Sequence, residues 1–556
     1  MTDSVNQRWA ATLVGALVGA GVRHAVIAPG SRSTPLALAF TDRPDVKSFS
    51  VHDERSAAFF ALGLSKASGA PAAVLCTSGT AGAHFLPAVM EANAGATPLV
   101  VLTADRPWRL LGFGAPQTTE QRGLFGCFVL EAVDCPEPSA GAEVLAHLAS
   151  VSARAVARAI ASRGPVHFNV PFDEPLAPEA RGSIVDPGVA RFSQPERRAE
   201  LTRVSAAVSR AERGVIVVGP RERDDGLPAA VHRLGERLGF PVLAEAASNA
   251  RYGFDGAVAM YDALLRTPAF ERDARPDVVL RFGGALTARA PQAWLDESGA
   301  EQFVFAEDER TIDPLHRATE FILGDPLRAC AELPPSSRAS AEWRAKWLEA
   351  DRRLRTKWLA ASALSEASVA REVVAALPPT ASLFVSSSMP VRDVDAFAPV
   401  GASGLRVFAN RGINGIDGIV STALGIAAAQ RRPTVALVGD VALLHDLSAW
   451  VSAKRLSLSL TVVAVNNDGG GIFHFLPVAG RTEHFESLFG TPHGVDLSAV
   501  AALGGARFQR EESLAGLRTA LSAGFEGGLH LIEVRTDRRA NVAEHRALFS
   551  MLAEAL

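Results

Sequence analysis

The chain has 556 residues, 48% of them hydrophobic and 21% charged, with a net charge of -4 and a pI near 6.4. That length exceeds what one hydrophobic core organises, so roughly two to four domains are expected, and the composition excludes wholesale disorder. No broad basic surface is available to neutralise a phosphate backbone, so no nucleic-acid partner is expected. The four cysteines, Cys76, Cys127, Cys135 and Cys330, form no CxxC pair, which argues against a zinc site or a disulfide framework. The segment MTDSVNQRWA lacks a basic stretch followed by an apolar core, and the apolar stretches are broken by charge or Gly before ~18 residues. A cytoplasmic chain without a membrane partner is the expectation.

In chain order, short apolar runs end in small polar residues and give way to Ala-rich stretches of helical character. The first are HAVIAPGS (24–31), AAVLCTSGT (72–80) and PLVVLTADRP (98–107). Continuous rather than alternating apolarity predicts strands covered on both faces, hence parallel sheets flanked by helices. Ligands in such sheets sit beyond the carboxyl ends of the strands. A Pro-rich connector is expected from NVPFDEPLAPEARG (169–182) to VDPG (185–188). Beyond it the same pattern recurs in GVIVVGP (214–220), FPVLAEA (240–246), PDVVLRFGG (276–284), EQFVFAED (301–308) and EFILGDP (320–326). A second connector, LPPSSRAS (333–340), leads into a charged segment ending near Trp358. The last runs are TVALVGDV (434–441) and LTVVAVNNDGG (460–470). The expected architecture is three α/β domains, each a mostly parallel sheet with helices on both faces, at 1–182, 190–340 and 360–556.

The outer two of these domains show an internal repeat. Ala61-Leu62-Gly63-Leu64 lies 362 positions before Ala423-Leu424-Gly425-Ile426, and the same offset carries Pro71 onto Pro433, Ser78 onto Asp440 and Asp105 onto Asn467. Four anchors without a gap predict two copies of one fold around a different middle.

The densest chemistry lies at Gly439-Asp440 and, 27 positions after the aspartate, in Asn466-Asn467-Asp468-Gly469-Gly470-Gly471. Taken singly, Asp440 reads as a helix N-cap and NNDGGG as a turn. At the ends of adjacent strands, an acid and an amide reach one hard cation, which prefers oxygen ligands and shares them with phosphates. A helix starting after Asp440 would aim N–H groups at a diphosphate, and the Gly469 carbonyl would complete the metal shell.

Gly-Asp, a stretch of this length and Asn-Asn resemble the metal and diphosphate motif of thiamine diphosphate enzymes. Val441 departs from the Gly usual after the Asp. The resemblance implies thiamine diphosphate with Mg²⁺ or Mn²⁺, a first domain that binds the pyrimidine and a last that binds the diphosphate. It also implies a carboxylate hydrogen-bonded to the pyrimidine N1′, a contact that activates the cofactor. Glu54 in VHDERSAAFFALGLSKASG (51–69) matches that position, although a helix-start acid favoured by the dipole is the plain alternative. The cofactor would lie between domains of two subunits, implying a homodimer or a dimer of dimers.

APGSRSTPLALAF (28–40), CTSGTAGAHFLPAV (76–89), LTADRP (102–107), NRGINGIDG (410–418) and NNDGGGIFHFLP (466–477) together resemble the 2-succinyl-5-enolpyruvyl-6-hydroxy-3-cyclohexene-1-carboxylate synthase family of menaquinone biosynthesis. That resemblance implies the substrates 2-oxoglutarate and isochorismate, both dicarboxylates, which Arg forks suit. The matching positions are Ser31, Arg32, Arg106, Gln117, Ser388, Arg392 and Arg411, with Arg289 in the middle domain where the family often has Lys. Pro116 stands where many relatives carry Asn, leaving Gln117 as the polar contact. Each Arg alone also reads as a solvated surface charge. Ser78 and Gly439 join the cofactor set, Ile416 would prop the cofactor between its rings, and Ile472, Phe473 and Leu476 would form an apolar wall. His445, His474, His484 and His493 show no ligand spacing and receive no role. Two alternatives stand: another thiamine diphosphate-dependent 2-oxo acid lyase, such as an acetohydroxyacid synthase or oxalyl-CoA decarboxylase, or a non-catalytic regulatory protein on the same fold. VIVVGPRERDD lacks the GxGxxG of a flavin-binding middle domain.

Overall fold

A computed structural model describes residues 4–177, 182–193, 198–308, 310–336, 338, 341–430 and 432–556. The expected middle-domain end at 340 and parts of both connectors lie outside the described residues. Among the described residues, three sheets of six strands account for the architecture, and the strand pairs are parallel. The first contains β1 (His24–Ile27), β2 (Lys47–Ser50), β3 (Ala72–Cys76), β4 (Leu99–Asp105), β5 (Glu131–Asp134) and β6 (Pro165–Pro171), in the order β2-β1-β3-β4-β6-β5. β3 and β4 are buried along their whole length, as continuous apolar runs predict. The edge strand β5 (EAVD) is only half-buried in alternation and escapes a search for apolar runs. β6 corrects the sequence reading: Asn169–Pro171, expected at the head of the Pro-rich connector, complete a fully buried strand paired with β4.

The middle sheet comprises β7 (Gly214–Val218), β8 (Val242–Ala244), β9 (Ala257–Val258), β10 (Val278–Phe282), β11 (Glu301–Ala306) and β12 (Ala318–Leu323), in the order β12-β11-β10-β7-β8-β9. The third has β13 (Ser382–Val385), β14 (Arg406–Ala409), β15 (Thr434–Gly439), β16 (Leu460–Asn466), β17 (Arg507–Glu511) and β18 (Leu529–Arg535). Its order, β14-β13-β15-β16-β18-β17, reproduces that of the first sheet strand for strand. The 362-residue offset carries β3 into β15 and β4 onto β16, so the internal repeat is a repeat of topology.

The chain forms two compact units. One contains Met1–Gln194, Asn410–Arg431 and His445–Ser459; the other contains Pro195–Ala409, Arg432–Leu444 and Leu460–Leu556. Inside the first unit, the helices Glu54–Ser68 and Ile419–Ala429 pack on each other through the glycines that the repeat makes equivalent. A Cβ on Gly63 would lie 2.1 Å from the Thr422 carbonyl oxygen, and one on Gly425 would lie 2.1 Å from that of Phe60. Only glycine permits backbones this close. The helix Ala142–Ala161 has the length and mean apolarity to cross a membrane, although Glu143, Arg154 and Arg158 interrupt its apolar run. Its Leu148, Ala155 and Val156 belong to the first-sheet core, while Arg154 and Arg158 pair with Glu131 on β5.

In the second unit the charged segment expected to be a connector is a 19-residue helix, Ala341–Leu359. Its Trp343 and Trp358 are buried and donate to the Gly214 and Phe397 carbonyls at 2.8 and 2.6 Å. Nearby, Arg251 and Asp395 form an ion pair at 2.5 Å with side chains 0% and 1% exposed, and Tyr261 donates its hydroxyl to the same carboxylate at 2.6 Å. Removing one partner of such a pair strands a buried charge, so Asp395→Ala is expected to lose about 3–5 kcal/mol in a denaturant titration.

Candidate active site

In the second unit β15 and β16 are neighbours with Gly439 opposite Val465, so the residues that follow each strand emerge side by side. Asp440 is 2% exposed and opens a five-residue helix, Asp440–Leu444. Its Oδ1 accepts from the N–H of Val441 at 2.7 Å, and its Oδ2 from that of Gly469 at 2.9 Å. The aspartate therefore meets the turn that begins two residues after Asn467. Gly469 has φ +139°, and a Cβ there would fall 2.0 Å from the Gly490 carbonyl oxygen, which excludes any side chain. Arg538 fixes the turn from behind by donating to the carbonyls of Asn467 and Asp468 at 2.9 and 3.0 Å.

Asn467 supplies the test of fit to a cation. Its Oδ1 is buried and has no hydrogen-bond partner among the described residues, a condition that costs about 1–3 kcal/mol unless something binds it. Its Nδ2 donates to Glu366 Oε1 at 2.9 Å. A buried carboxylate, an orphaned amide oxygen and a backbone carbonyl in the glycine turn are oxygen donors of the kind that a hard cation such as Mg²⁺ or Mn²⁺ takes.

Glu366 and the pair behind it carry shifted protonation. Burial, then the Asp393 carboxylate, push Glu366 up to about 7, against the hydrogen bonds from Asn467 and Thr536. For His545 burial acts downward, but Asp393, 2.7 Å away, outweighs it and raises the imidazole to about 9. A raised histidine contributes stability that is complete below its unfolded value and is lost as pH rises through the folded one. Melting temperature is therefore expected to fall between about pH 6.5 and 9, and this slope should be shallower in His545→Gln.

In the first unit, Glu54 is the first helical residue after the N-cap Asp53, whose side chain accepts from the Ser56 N–H at 2.9 Å. Its charge reaches the end of β3, where burial first and Glu54 second push the Cys76 thiol well up. Ser78, 1% exposed, follows β3 and gathers two other expected residues, Arg106 and Gln117. Its hydroxyl donates to the Gln117 carbonyl at 3.0 Å and receives Arg106 Nη1 at 3.2 Å, while its carbonyl accepts Gln117 Nε2 at 3.1 Å. Gln117 adopts φ +57°. Arg32, 7% exposed, donates to the Phe172 carbonyl at 2.9 Å and pairs with Glu174 at 3.2 Å. Burial and then the nearby Arg106 hold its guanidinium below the ordinary value. Ser31 precedes it on the surface. Arg411 and Ile416 lie half-buried in the loop after β14, and Glu91 accepts the N–H groups of Gly412 and Ile413 in that loop at 2.9 and 2.6 Å.

The remaining expected residues lie in the second unit. Ser388, after β13, is held at φ +75° and its carbonyl accepts from Arg392, which is exposed one turn on. Left-handed geometry at a non-glycine residue is costly and concentrates at functional positions. Arg289 is exposed at the start of the helix Arg289–Glu297 beside the middle sheet. Ile472 is half-buried, and Phe473 and Leu476 are 37% and 43% exposed, so this wall is surface rather than core.

Sequence reasoning missed three participants. His493, given no role, places Nε2 3.2 Å from Asp440 Oδ2, and that hydrogen bond raises its imidazole above the ordinary value; it lies 53 positions from its partner, with no motif to mark it. Glu366 is equally remote. Gln121, 1% exposed, accepts the Gly79 N–H at 2.9 Å and donates to the Ala104 carbonyl and Asn169 Oδ1 at 3.2 and 2.9 Å. It thereby ties the Gln117 loop to three strand ends. It lies four positions after Gln117, in APQTTEQ (115–121), and that proximity was the available signal.

Comparison with known proteins identifies three thiamine pyrophosphate enzyme families along the chain. The N-terminal TPP binding domain matches residues 7–124, the middle domain 192–385 and the C-terminal TPP binding domain 403–534. A 2-succinyl-5-enolpyruvyl-6-hydroxy-3-cyclohexene-1-carboxylate synthase of Myxococcus xanthus is 52% identical over 100% of this chain and 98% of its own length. Proteins of the same name from Chloroflexus aurantiacus and Geobacillus kaustophilus are 43% and 42% identical, over 99% and 100% of this chain and 96% and 99% of theirs. A thiamine diphosphate fold repeated on either side of a middle sheet, with end-to-end identity of this order, means that the chain belongs to the 2-succinyl-5-enolpyruvyl-6-hydroxy-3-cyclohexene-1-carboxylate synthase family of thiamine diphosphate enzymes.

Proposed function

We propose that the chain decarboxylates 2-oxoglutarate and joins the remaining four-carbon unit to isochorismate, releasing CO₂ and forming 2-succinyl-5-enolpyruvyl-6-hydroxy-3-cyclohexene-1-carboxylate for menaquinone biosynthesis. Bound thiamine diphosphate supplies the electron sink that loss of CO₂ from a 2-oxo acid requires. Asp440, Asn467 and the Gly469 carbonyl would hold Mg²⁺ or Mn²⁺ and with it the diphosphate; Gly439, Ser78 and Ile416 would be the further cofactor contacts. Glu54 holds a proton at the pyrimidine N1′. The observation that carries the substrate class is a pair of arginines at the strand ends of the first sheet: buried Arg32, held below its ordinary value by burial and then by the charge of Arg106, and half-buried Arg106, which donates to the Ser78 hydroxyl at 3.2 Å. An anionic substrate relieves that repulsion, and Arg forks orient carboxylates bidentately. Ser31, Gln117, Arg289, Ser388, Arg392 and Arg411 complete the polar contacts, and Ile472, Phe473 and Leu476 exclude water from the reacting carbons. Self-association as a homodimer or a dimer of dimers belongs to the same reading.

An omission experiment tests the reaction. Protein, thiamine diphosphate, Mg²⁺, 2-oxoglutarate and isochorismate together should yield product, and mixtures lacking either substrate should yield none. Consumption of pyruvate in place of 2-oxoglutarate would instead assign an acetohydroxyacid synthase-like activity.

A further inference from the structure

We propose that Glu366 is a positioning residue for the cation site, fixing the Asn467 amide so that Oδ1 rather than Nδ2 is presented to the metal. This rests on the reading of Asp440 and Asn467 as ligands and adds to it the group that makes the asparagine competent. Glu366 is 3% exposed and opens the helix Glu366–Ala376, whose start is held by the Ser365–Ser368 capping box. Its Oε1 accepts from Asn467 Nδ2 at 2.9 Å and from Thr536 Oγ1 at 3.0 Å. Thr536 in turn donates its N–H to the Asn466 carbonyl at 3.0 Å, so the carboxylate and the end of β16 are located by one residue.

The two faces of an asparagine amide have nearly the same shape, and only hydrogen bonding chooses between them. With Nδ2 tied to Glu366, Oδ1 points away, which is the buried oxygen that lacks a partner among the described residues. Turning the amide over would set Oδ1 against the Glu366 carboxylate and aim N–H groups at the cation, an orientation opposed at both ends. The carboxylate also draws density through the amide toward Oδ1, strengthening its bond to a hard cation as outer-shell acids do elsewhere.

The test measures Mn²⁺ binding in the presence of thiamine diphosphate, with free Mn²⁺ followed by electron paramagnetic resonance. Glu366→Leu, which fills the space without an acceptor, is expected to weaken Mn²⁺ by about 10–100-fold; Glu366→Ala serves the same purpose if the leucine variant fails to fold. Glu366→Gln keeps an acceptor oxygen and should recover most of the loss. Asp440→Ala, the control for the ligand reading, should lose Mn²⁺ binding. Wild-type Mn²⁺ affinity in folded Glu366→Leu or Glu366→Ala, with binding lost in Asp440→Ala, would overturn the positioning role alone. Equal weakening in the leucine and glutamine variants would overturn it too, because an acceptor would then be irrelevant. Unchanged binding in Asp440→Ala would remove the metal reading and this proposal together.

Discussion

Glu54→Gln is expected to lower turnover by about 10²–10⁴-fold, the range for loss of a group that manages a proton at the reacting centre, while barely changing cofactor affinity. The substitution is close to isosteric, and the helix it opens does not depend on it. Asp53 caps that helix through the Ser56 N–H, and Phe59, Phe60 and Leu62 anchor it in the core. What disappears is the carboxylate proposed to hold a proton at N1′. Single-turnover product formation and cofactor titration by tryptophan fluorescence separate the two effects. Full turnover in the variant would remove Glu54 from its assigned role.

Asp440→Ala is expected to act on the other quantity. Changes to groups behind a metal ligand already cost about 10–100-fold in affinity, so deleting the ligand itself should weaken Mg²⁺-dependent cofactor binding by more than about 100-fold. The carboxylate also accepts two backbone N–H groups, from Val441 and Gly469, and losing both loosens the glycine turn that aligns Asn467. Cofactor titrations across a Mg²⁺ series should show the variant insensitive to the metal. Wild-type protein in chelator should fall to the same level, so that the substitution and metal removal become equivalent. A variant that retains metal-dependent binding would show that Asp440 is not a ligand.

The parts of this molecule that were legible in the sequence are those written in contiguous residues. Buried parallel strands such as β4 and β16 must be apolar on both faces, so they stand out as runs, and Gly63 and Gly425 betray the repeat because close helix packing tolerates no side chain there. The glycine turn after Asn467 was legible for the same steric reason. Edge strands such as β5 carry too little burial to leave a pattern, and β6 was hidden by the proline that ends it. The supporting groups were not legible at all. Glu366 lies 101 positions from Asn467 and His493 lies 53 from Asp440, and one polar residue that meets its partner only after folding has no local signature. The helix Ala341–Leu359 misled because its charges dominate the sequence while its buried tryptophans decide its place.

A crystal of the protein grown with thiamine diphosphate and Mn²⁺ offers the most direct measurement, because anomalous scattering locates the ion without reference to any assumed ligand. One peak within bonding distance of an Asp440 carboxylate oxygen and of Asn467 Oδ1, beside the diphosphate, is the predicted result. A peak elsewhere, or an Asn467 amide turned with its nitrogen toward the ion, would contradict it.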